Sequence, residues 1–140
     1  MTTAIDTNVI VALWDADATL SSDAQSALDE ALTRGALVVA APVFAELIAA
    51  PGRDESLLDA FFRDTGIRVD WTLDEGVWRL AGRAFQTYAG RRRSQRQPGP
   101  RRILADFLIG AHAVRLGYRL LTSDSKIYRA AFPRLTIVSI

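Results

Sequence analysis

The order of apolar and polar residues along the chain predicts strands that alternate with helices. Five short runs predict strands, and they cover residues 3–5, 36–40, 67–71, 119–123 and 135–139. Helical periodicity fills the segments between these runs. Several of the runs are continuously apolar, as in "ALVVA", which is typical of strands buried on both faces. We therefore expect an α/β fold in which helices cover both sides of a parallel sheet.

The predicted helices carry recognisable start and stop signals. Ser21 or Ser22 can cap the second helix, Pro42 suits the first turn of the third, and Thr72 begins a capping box. A polar stretch broken by Pro and Gly, "RRRSQRQPGPRR" at residues 91–102, predicts a surface loop. The glycines expected to end helices are Gly35, Gly66 and Gly117.

Length and composition indicate one globular domain. Of the 140 residues, 49% are hydrophobic and 24% are charged, so residues 1–140 are expected to form a single soluble domain. Cysteine is absent, which excludes disulfides and thiolate metal sites. The apolar run at the start has no basic leader and is interrupted by Asp6, and no run reaches the roughly 20 residues of a membrane helix. A cytoplasmic location is therefore expected.

Four acidic residues lie in or directly beside segments that are otherwise apolar: Asp6, Glu46, Asp106 and Asp124. A buried carboxylate must be neutralised, paired with a cation or bound to a metal ion. Asp6 and Asp124 could instead cap the helices that follow them. Glu46 and Asp106 could instead form core salt bridges with arginine. Each acid taken singly leaves these alternatives open.

The predicted topology favours one shared site for the four acids. In an open parallel sheet, ligands bind outside the carboxyl ends of the strands. Asp6 and Asp124 directly follow strands, and Glu46 follows the strand at 36–40 by about one and a half helical turns. Asp106 lies near the start of a helix that opens onto the same edge. Carboxylates gathered so closely cannot all stay ionised without compensation, and a divalent cation supplies it. Ligands that are all oxygen favour Mg²⁺ or Mn²⁺ over Zn²⁺.

Such a site suits hydrolysis of a phosphodiester. Mg²⁺ binds through a few carboxylates together with substrate phosphate, and it lowers the pKa of a bound water. The sequence offers neither a Ser/His/Asp nor a Cys/His set for nucleophilic catalysis. His112 is the only histidine, and we expect it to pack or to meet solvent at the edge of its helix.

Four motifs in order along the chain resemble the PIN-domain nucleases, and among them the VapC-type toxins of prokaryotic toxin–antitoxin pairs. The motifs are "AIDTNVIVAL", "PVFAEL", "ADFLIGAHA" and "LLTSDSKIYRAAFP", and the similarity runs from end to end. The resemblance implies a three-layer α/β/α fold with a parallel sheet of about five strands. It also implies a Mg²⁺- or Mn²⁺-dependent endoribonuclease whose substrate is a transfer RNA, a ribosomal RNA or another structured RNA.

The resemblance also assigns roles to individual residues and implies partners. Asp6, Glu46 and Asp106 would be the core metal ligands, and Asp124 would act more variably, often through water. Family members of this type pair with a VapB-type antitoxin and tend to form homodimers. The residues that would orient ligands or waters are Asn8, Thr122 and Ser123.

The sequence departs from the family pattern in two places. The segment at Pro42 lacks the Ser or Thr often found before it, which weakens that helix cap. The stretch 91–102 is longer and more basic than expected. Its arginines could attract RNA phosphates, or the stretch could simply be a solvated loop. These arginines are Arg91, Arg92, Arg93, Arg96, Arg101 and Arg102.

Three other functions compete with the nuclease. A haloacid-dehalogenase-type phosphatase also opens with an Asp after the first strand, but Asn8 stands where its second acid would be. A phosphorylated receiver domain would need paired acids near the first strand and a suitably distant Lys, whereas Lys126 lies close to Asp124. A PIN-like scaffold could bind RNA or a partner without catalysis, although retention of all four acids argues against it.

Overall fold

A computed structural model describes residues 1–96 and 103–140 and shows a five-stranded sheet in the order β3-β2-β1-β4-β5. Every neighbouring pair of strands is parallel. This confirms the predicted α/β fold with a parallel sheet between helical layers. The strands are β1 (Thr3–Ile5), β2 (Leu37–Ala40), β3 (Arg68–Asp70), β4 (Arg119–Thr122) and β5 (Ile137–Ser139).

Helices connect all consecutive strands, as parallel pairing requires. None of those described is long and apolar enough to cross a membrane. The helices are α1 (Thr7–Leu13), α2 (Ala18–Arg34), α3 (Ala41–Ala49), α4 (Glu55–Thr65), α5 (Glu75–Ser94), α6 (Leu104–Leu116) and α7 (Ser125–Ala131).

Three local predictions were wrong. Helix α2 begins earlier than expected, because Asp17 rather than Ser21 or Ser22 caps it and accepts hydrogen bonds from two backbone amides. Asp74, not Thr72, caps α5 through a hydrogen bond from the Val77 amide. Aspartate in the extended conformation competes well with Ser and Thr for this role.

The third error concerns the basic stretch 91–102. Helix α5 continues to Ser94, so Arg91, Arg92 and Arg93 form part of its last turn rather than a loop. Cationic side chains interact favourably with the negative end of a helix, which helps to explain the extension. Arg96 follows in a left-handed conformation with φ of 55°. Arg101 and Arg102 lie outside the described residues.

The core is built around the central strands and α6. Strands β1 and β2 are buried along their whole length, and α6 is buried from Phe107 to Ala113. Helix α6 therefore lies between the sheet and the helices around it, with no wet face over two turns. This burial explains why its sequence lacks amphipathic periodicity and why the acid near its first turn, Asp106, has so few polar neighbours in sequence.

Close packing of α6 makes Gly110 sensitive to substitution. A Cβ at this position would overlap the ring of Phe132, which is itself buried. Gly110→Ala should therefore destabilise the protein by about 1–3 kcal/mol, because overpacking displaces neighbours in a filled core. Gly82→Ala is the matched control: it lies inside helix α5 with open space around it, and should stabilise by about 0.5–1 kcal/mol. Urea unfolding of both variants measures the difference, and equal effects would contradict the packing described.

Candidate metal and active site

Asp6 occupies the carboxyl end of the central strand and is only 4% exposed. One carboxylate oxygen caps α1 by accepting a hydrogen bond from the Thr7 amide at 2.8 Å. The other accepts from the Thr122 hydroxyl at 2.8 Å and from the Asn8 amide at 3.2 Å. Asp6 thus caps α1 with one carboxylate oxygen, as the alternative to a site role predicted, while its other oxygen faces the end of β4.

The surroundings of Asp6 disfavour its negative charge. Burial raises the pKa of Asp6, and hydrogen bonds from Thr122 and Thr7 offset this only in part. The neighbouring charge of Glu46 raises the pKa further. A carboxylate in this position is stabilised by a nearby cation.

Glu46 lies in α3, about a turn and a half after β2. Its Oε1 accepts a hydrogen bond of 2.6 Å from the Thr7 hydroxyl. Thr7 therefore bridges Asp6, through its amide, and Glu46, through its side chain. Among the described residues the hydrogen-bond partner of Glu46 is a hydroxyl, so the predicted alternative of a core salt bridge to arginine is not found for this acid.

Tyr128 of α7 brings Asp106 into the same site. The ring is 1% exposed, and within the described ranges the buried hydroxyl has no hydrogen-bond partner of standard geometry. Burial raises the pKa of Tyr128, and the negative charges of Asp6, Asp106 and Glu46 raise it further. The charges of three carboxylates therefore act on one hydroxyl, and the metal site predicted for these acids stays a prediction.

The segment after β4 completes the site. The Thr122 hydroxyl accepts a hydrogen bond from the Asp124 amide at 3.0 Å while donating to Asp6. The Ser123 amide donates to the Asn8 side chain at 3.1 Å, so Ser123 contributes through its backbone rather than its hydroxyl. Asp124 makes no side-chain cap for α7, although it occupies the N-cap position. Of the predicted supporting residues, Asn8 and Thr122 thus contact Asp6, and Ser123 contacts Asn8.

The donor set fits a hard divalent cation. Within residues 1–96 and 103–140, no three acidic or histidine side chains are close enough to enclose a metal ion. Mg²⁺ does not need such a cage, because it keeps several waters and uses one or two carboxylates. A buried aspartate with a raised pKa, a second carboxylate linked to it through Thr7, and the buried Tyr128 hydroxyl match that kind of site.

Sequence reasoning missed two residues of the site. Thr7 stands beside Asp6 in "DTN", and its position at the start of α1 was a usable signal for a link to a neighbouring helix. Tyr128 gave no such signal, since an aromatic residue in "SKIYRAAF" is typical of a core contact. Its proximity to the acids depends on how α7 packs, which the local sequence does not encode.

His112 forms a separate buried pair with Asp70. The imidazole is fully buried, and its Nε2 lies 2.8 Å from an Asp70 carboxylate oxygen. Its Nδ1 has no partner among the described residues. The expectation that His112 packs, rather than acts in the acidic site, agrees with this position. The pair ties α6, which carries Asp106, to the end of β3.

Asp70→Ala should destabilise the protein by about 1–3 kcal/mol at neutral pH, because it leaves the buried imidazole without a hydrogen bond. Burial raises the pKa of Asp70, but the hydrogen bond and charge of His112 outweigh it and hold the pKa below its usual value of 3.8. The contribution of the Asp70–His112 pair to the free energy of unfolding is therefore full above pH 3.8 and is lost as the pH falls further. Urea unfolding at neutral and acidic pH tests this. Asp64→Ala, at an exposed ion pair with Arg63, is the control and should change little.

Comparison with known proteins assigns the family. The PIN domain family matches residues 3–133, so the chain belongs to the PIN domain family. This confirms the resemblance found in its motifs. No protein among those of curated function matches the sequence.

Solved structures with a similar fold come from toxin–antitoxin complexes. VapBC2 from Rickettsia felis, bound to a DNA fragment from its promoter, superposes with a TM-score of 0.66 at 16% identity and covers 100% of this chain and 99% of that one. VapBC-1 from nontypeable Haemophilus influenzae gives 0.66 at 23% identity, covering 99% and 98%. A toxin–antitoxin complex from Klebsiella pneumoniae gives 0.67 at 15% identity, covering 98% and 96%. At these identities the comparison establishes the shared fold.

Proposed function

We propose that this PIN-domain protein is a Mg²⁺- or Mn²⁺-dependent endoribonuclease and the toxin of a type II toxin–antitoxin pair. The observation that carries the proposal is the buried Asp6 carboxylate at the end of the central strand, which Thr7 links to Glu46. Members of the PIN family are generally nucleases that depend on divalent metal ions, which supports the reaction class.

The carboxylates would hold the cation, and the residues around them would hold the carboxylates. A bound divalent ion supplies charge neutralisation for phosphoryl oxygens and lowers the pKa of a bound water. Thr122 and Asn8 fix the orientation of Asp6 by donating to its second oxygen. Thr7 fixes Glu46 in the same way. Asp124 is proposed to orient a water at the edge of the site.

The basic end of α5 is proposed to attract the RNA. Arg91, Arg92 and Arg93 lie in its last turn and Arg96 follows it. Contacts of this kind bind phosphate without reading sequence. Arg101 and Arg102 are part of the same proposal.

The cellular partners are proposed from the toxin–antitoxin complexes that share the fold. We infer a cognate VapB-type antitoxin, a homodimeric toxin and a structured cytoplasmic substrate, a transfer RNA or a ribosomal RNA. Recognition of RNA by shape and unstacked bases makes such structured targets suitable.

A metal titration with labelled RNA tests the proposal. Cleavage should appear on addition of Mg²⁺ or Mn²⁺, disappear with EDTA and return when the ion is restored. Mapping the new RNA ends after induction in cells should then show defined cut sites. Binding of RNA without cleavage at any concentration of either ion would identify a non-catalytic PIN scaffold instead.

A further inference from the structure

A groove runs between α5 and α7, the helix that contains Tyr128. Its two adjoining parts have volumes of about 670 Å³ and 220 Å³ and share Tyr88, Arg91, Ile127 and Ala130 among their lining residues. Charged side chains line it on both sides: Arg83, Arg91 and Arg92 come from α5, and Lys126 comes from α7. None of the described lining residues is acidic, so the groove is complementary to an anion.

The basic wall of the groove follows from helical spacing. Arg83, Thr87, Arg91 and Gln95 are four residues apart and therefore lie in a row on one face of α5. Arg79 continues this row by one turn but pairs with Glu75 at 2.7 Å. Arg83 and Arg91 are exposed, as is Lys126 across the groove.

The floor of the groove suits a nucleotide, and it adjoins the segments that carry Asp106 and Tyr128. Ile127 and Ala130 supply apolar surface, and the half-buried ring of Tyr88 lies 5.5 Å from that of Phe107. Phe107 is next in sequence to Asp106, and Ile127 adjoins Tyr128. Basic side chains beside an aromatic ring are the usual means by which proteins hold single-stranded nucleic acid.

We propose that the groove between α5 and α7 holds the phosphate backbone of single-stranded RNA on its way to the carboxylate site. This rests on the proposed nuclease function and names the path of its substrate. It assigns phosphate contacts to Arg83, Arg91 and Lys126. Arg93 and Arg96 belong to the same basic stretch but do not line the groove.

Salt dependence of RNA binding tests the groove. A short, labelled, unstructured RNA is bound in EDTA, so that no cleavage occurs, and fluorescence anisotropy is measured over a range of KCl concentrations. Each phosphate contact to single-stranded RNA adds about 0.7 to the slope of log K against log[salt]. Arg83→Ala, Arg91→Ala and Lys126→Ala should each flatten the slope by about 0.7 and weaken binding, and the triple variant should flatten it by about 2.

Arg129→Ala is the matched control, since it removes an exposed arginine of α7 that does not line the groove. It should leave the slope unchanged. Equal flattening by Arg129→Ala and Arg91→Ala would overturn the groove in favour of diffuse attraction. An unchanged slope in the triple variant, with loss of binding to poly-glutamate, would overturn it in favour of an acidic protein partner.

The design separates this inference from the proposed function. If the groove substitutions flatten the salt slope of RNA binding but no cleavage occurs in Mg²⁺ or Mn²⁺, the result would contradict the nuclease and support the binding path. Metal-dependent cleavage, together with salt slopes of RNA binding that the groove substitutions leave unchanged, would support the nuclease and contradict the path. Ala130→Glu provides a second check, because a carboxylate on the exposed floor should weaken RNA binding.

Discussion

Asp106→Asn is expected to reduce metal-dependent RNA cleavage by more than about 100-fold while leaving the protein folded. Residues that only support metal ligands cost about 10–100-fold when replaced, so loss of a proposed ligand should cost more. The amide keeps the size of the carboxylate but removes its charge. Initial rates on a labelled RNA at saturating Mn²⁺, together with circular dichroism, measure both effects.

Asp59→Asn is the control for Asp106→Asn, because it makes the same change at an exposed position of α4. It should cleave at the wild-type rate. Cleavage by Asp106→Asn within a few-fold of wild type would remove Asp106 from the reaction. An unfolded Asp106→Asn protein would show instead that this acid serves the core.

Asp6→Asn should uncouple stability from metal binding. Wild-type protein at a metal concentration of 100 times Kd should gain about 2.7 kcal/mol in unfolding free energy relative to protein in EDTA. Asp6→Asn should gain far less, because it lacks the buried negative charge that the ion neutralises. Urea unfolding with and without Mn²⁺ measures the gain, and an equal gain in both proteins would place the ion elsewhere.

Without metal, Asp6→Asn should be at least as stable as wild type at neutral pH. The pKa of Asp6 is raised in the folded protein, chiefly by burial. A raised carboxyl pKa contributes stability below the unfolded value of 3.8, and this contribution is lost as the pH rises through the folded value. Asparagine has no such charge and can still cap α1. A large loss of stability in EDTA would mean that the ionised carboxylate supports the fold by itself.

The parallel sheet could be predicted because it depends on simple patterns. Short apolar runs between periodic segments specify a parallel sheet, and the carboxyl edge of such a sheet collects whatever follows its strands. Asp6 and Asp124 follow strands directly. Asp106 lies in the first turn of its helix and Glu46 in the second turn of its own, both among apolar residues, so their cost of burial indicated a role.

Contacts between distant side chains could not be predicted in this way. The hydrogen bond from Thr7 to Glu46 and the position of the Tyr128 hydroxyl depend on how α1, α3 and α7 pack. The sequence did not predict the groove, because residues 91–94 were expected to form a loop and not the end of a helix. Only as helix do Arg83 and Arg91 share one face, and only packing against α7 places Lys126 opposite them.

The sheet order places the first strand at the centre, and this has a consequence for when the carboxylate site can form during synthesis. Asp6 leaves the ribosome early, but the Thr122 hydroxyl that orients it lies 116 residues later, and β4 is the neighbour of β1. A nascent chain that still lacks β4 and α7 therefore has three of the acids but neither Thr122 nor Tyr128 to arrange them. Such a chain cannot yet arrange its carboxylate site, so the proposed nuclease would stay inactive until the last strands have emerged from the ribosome.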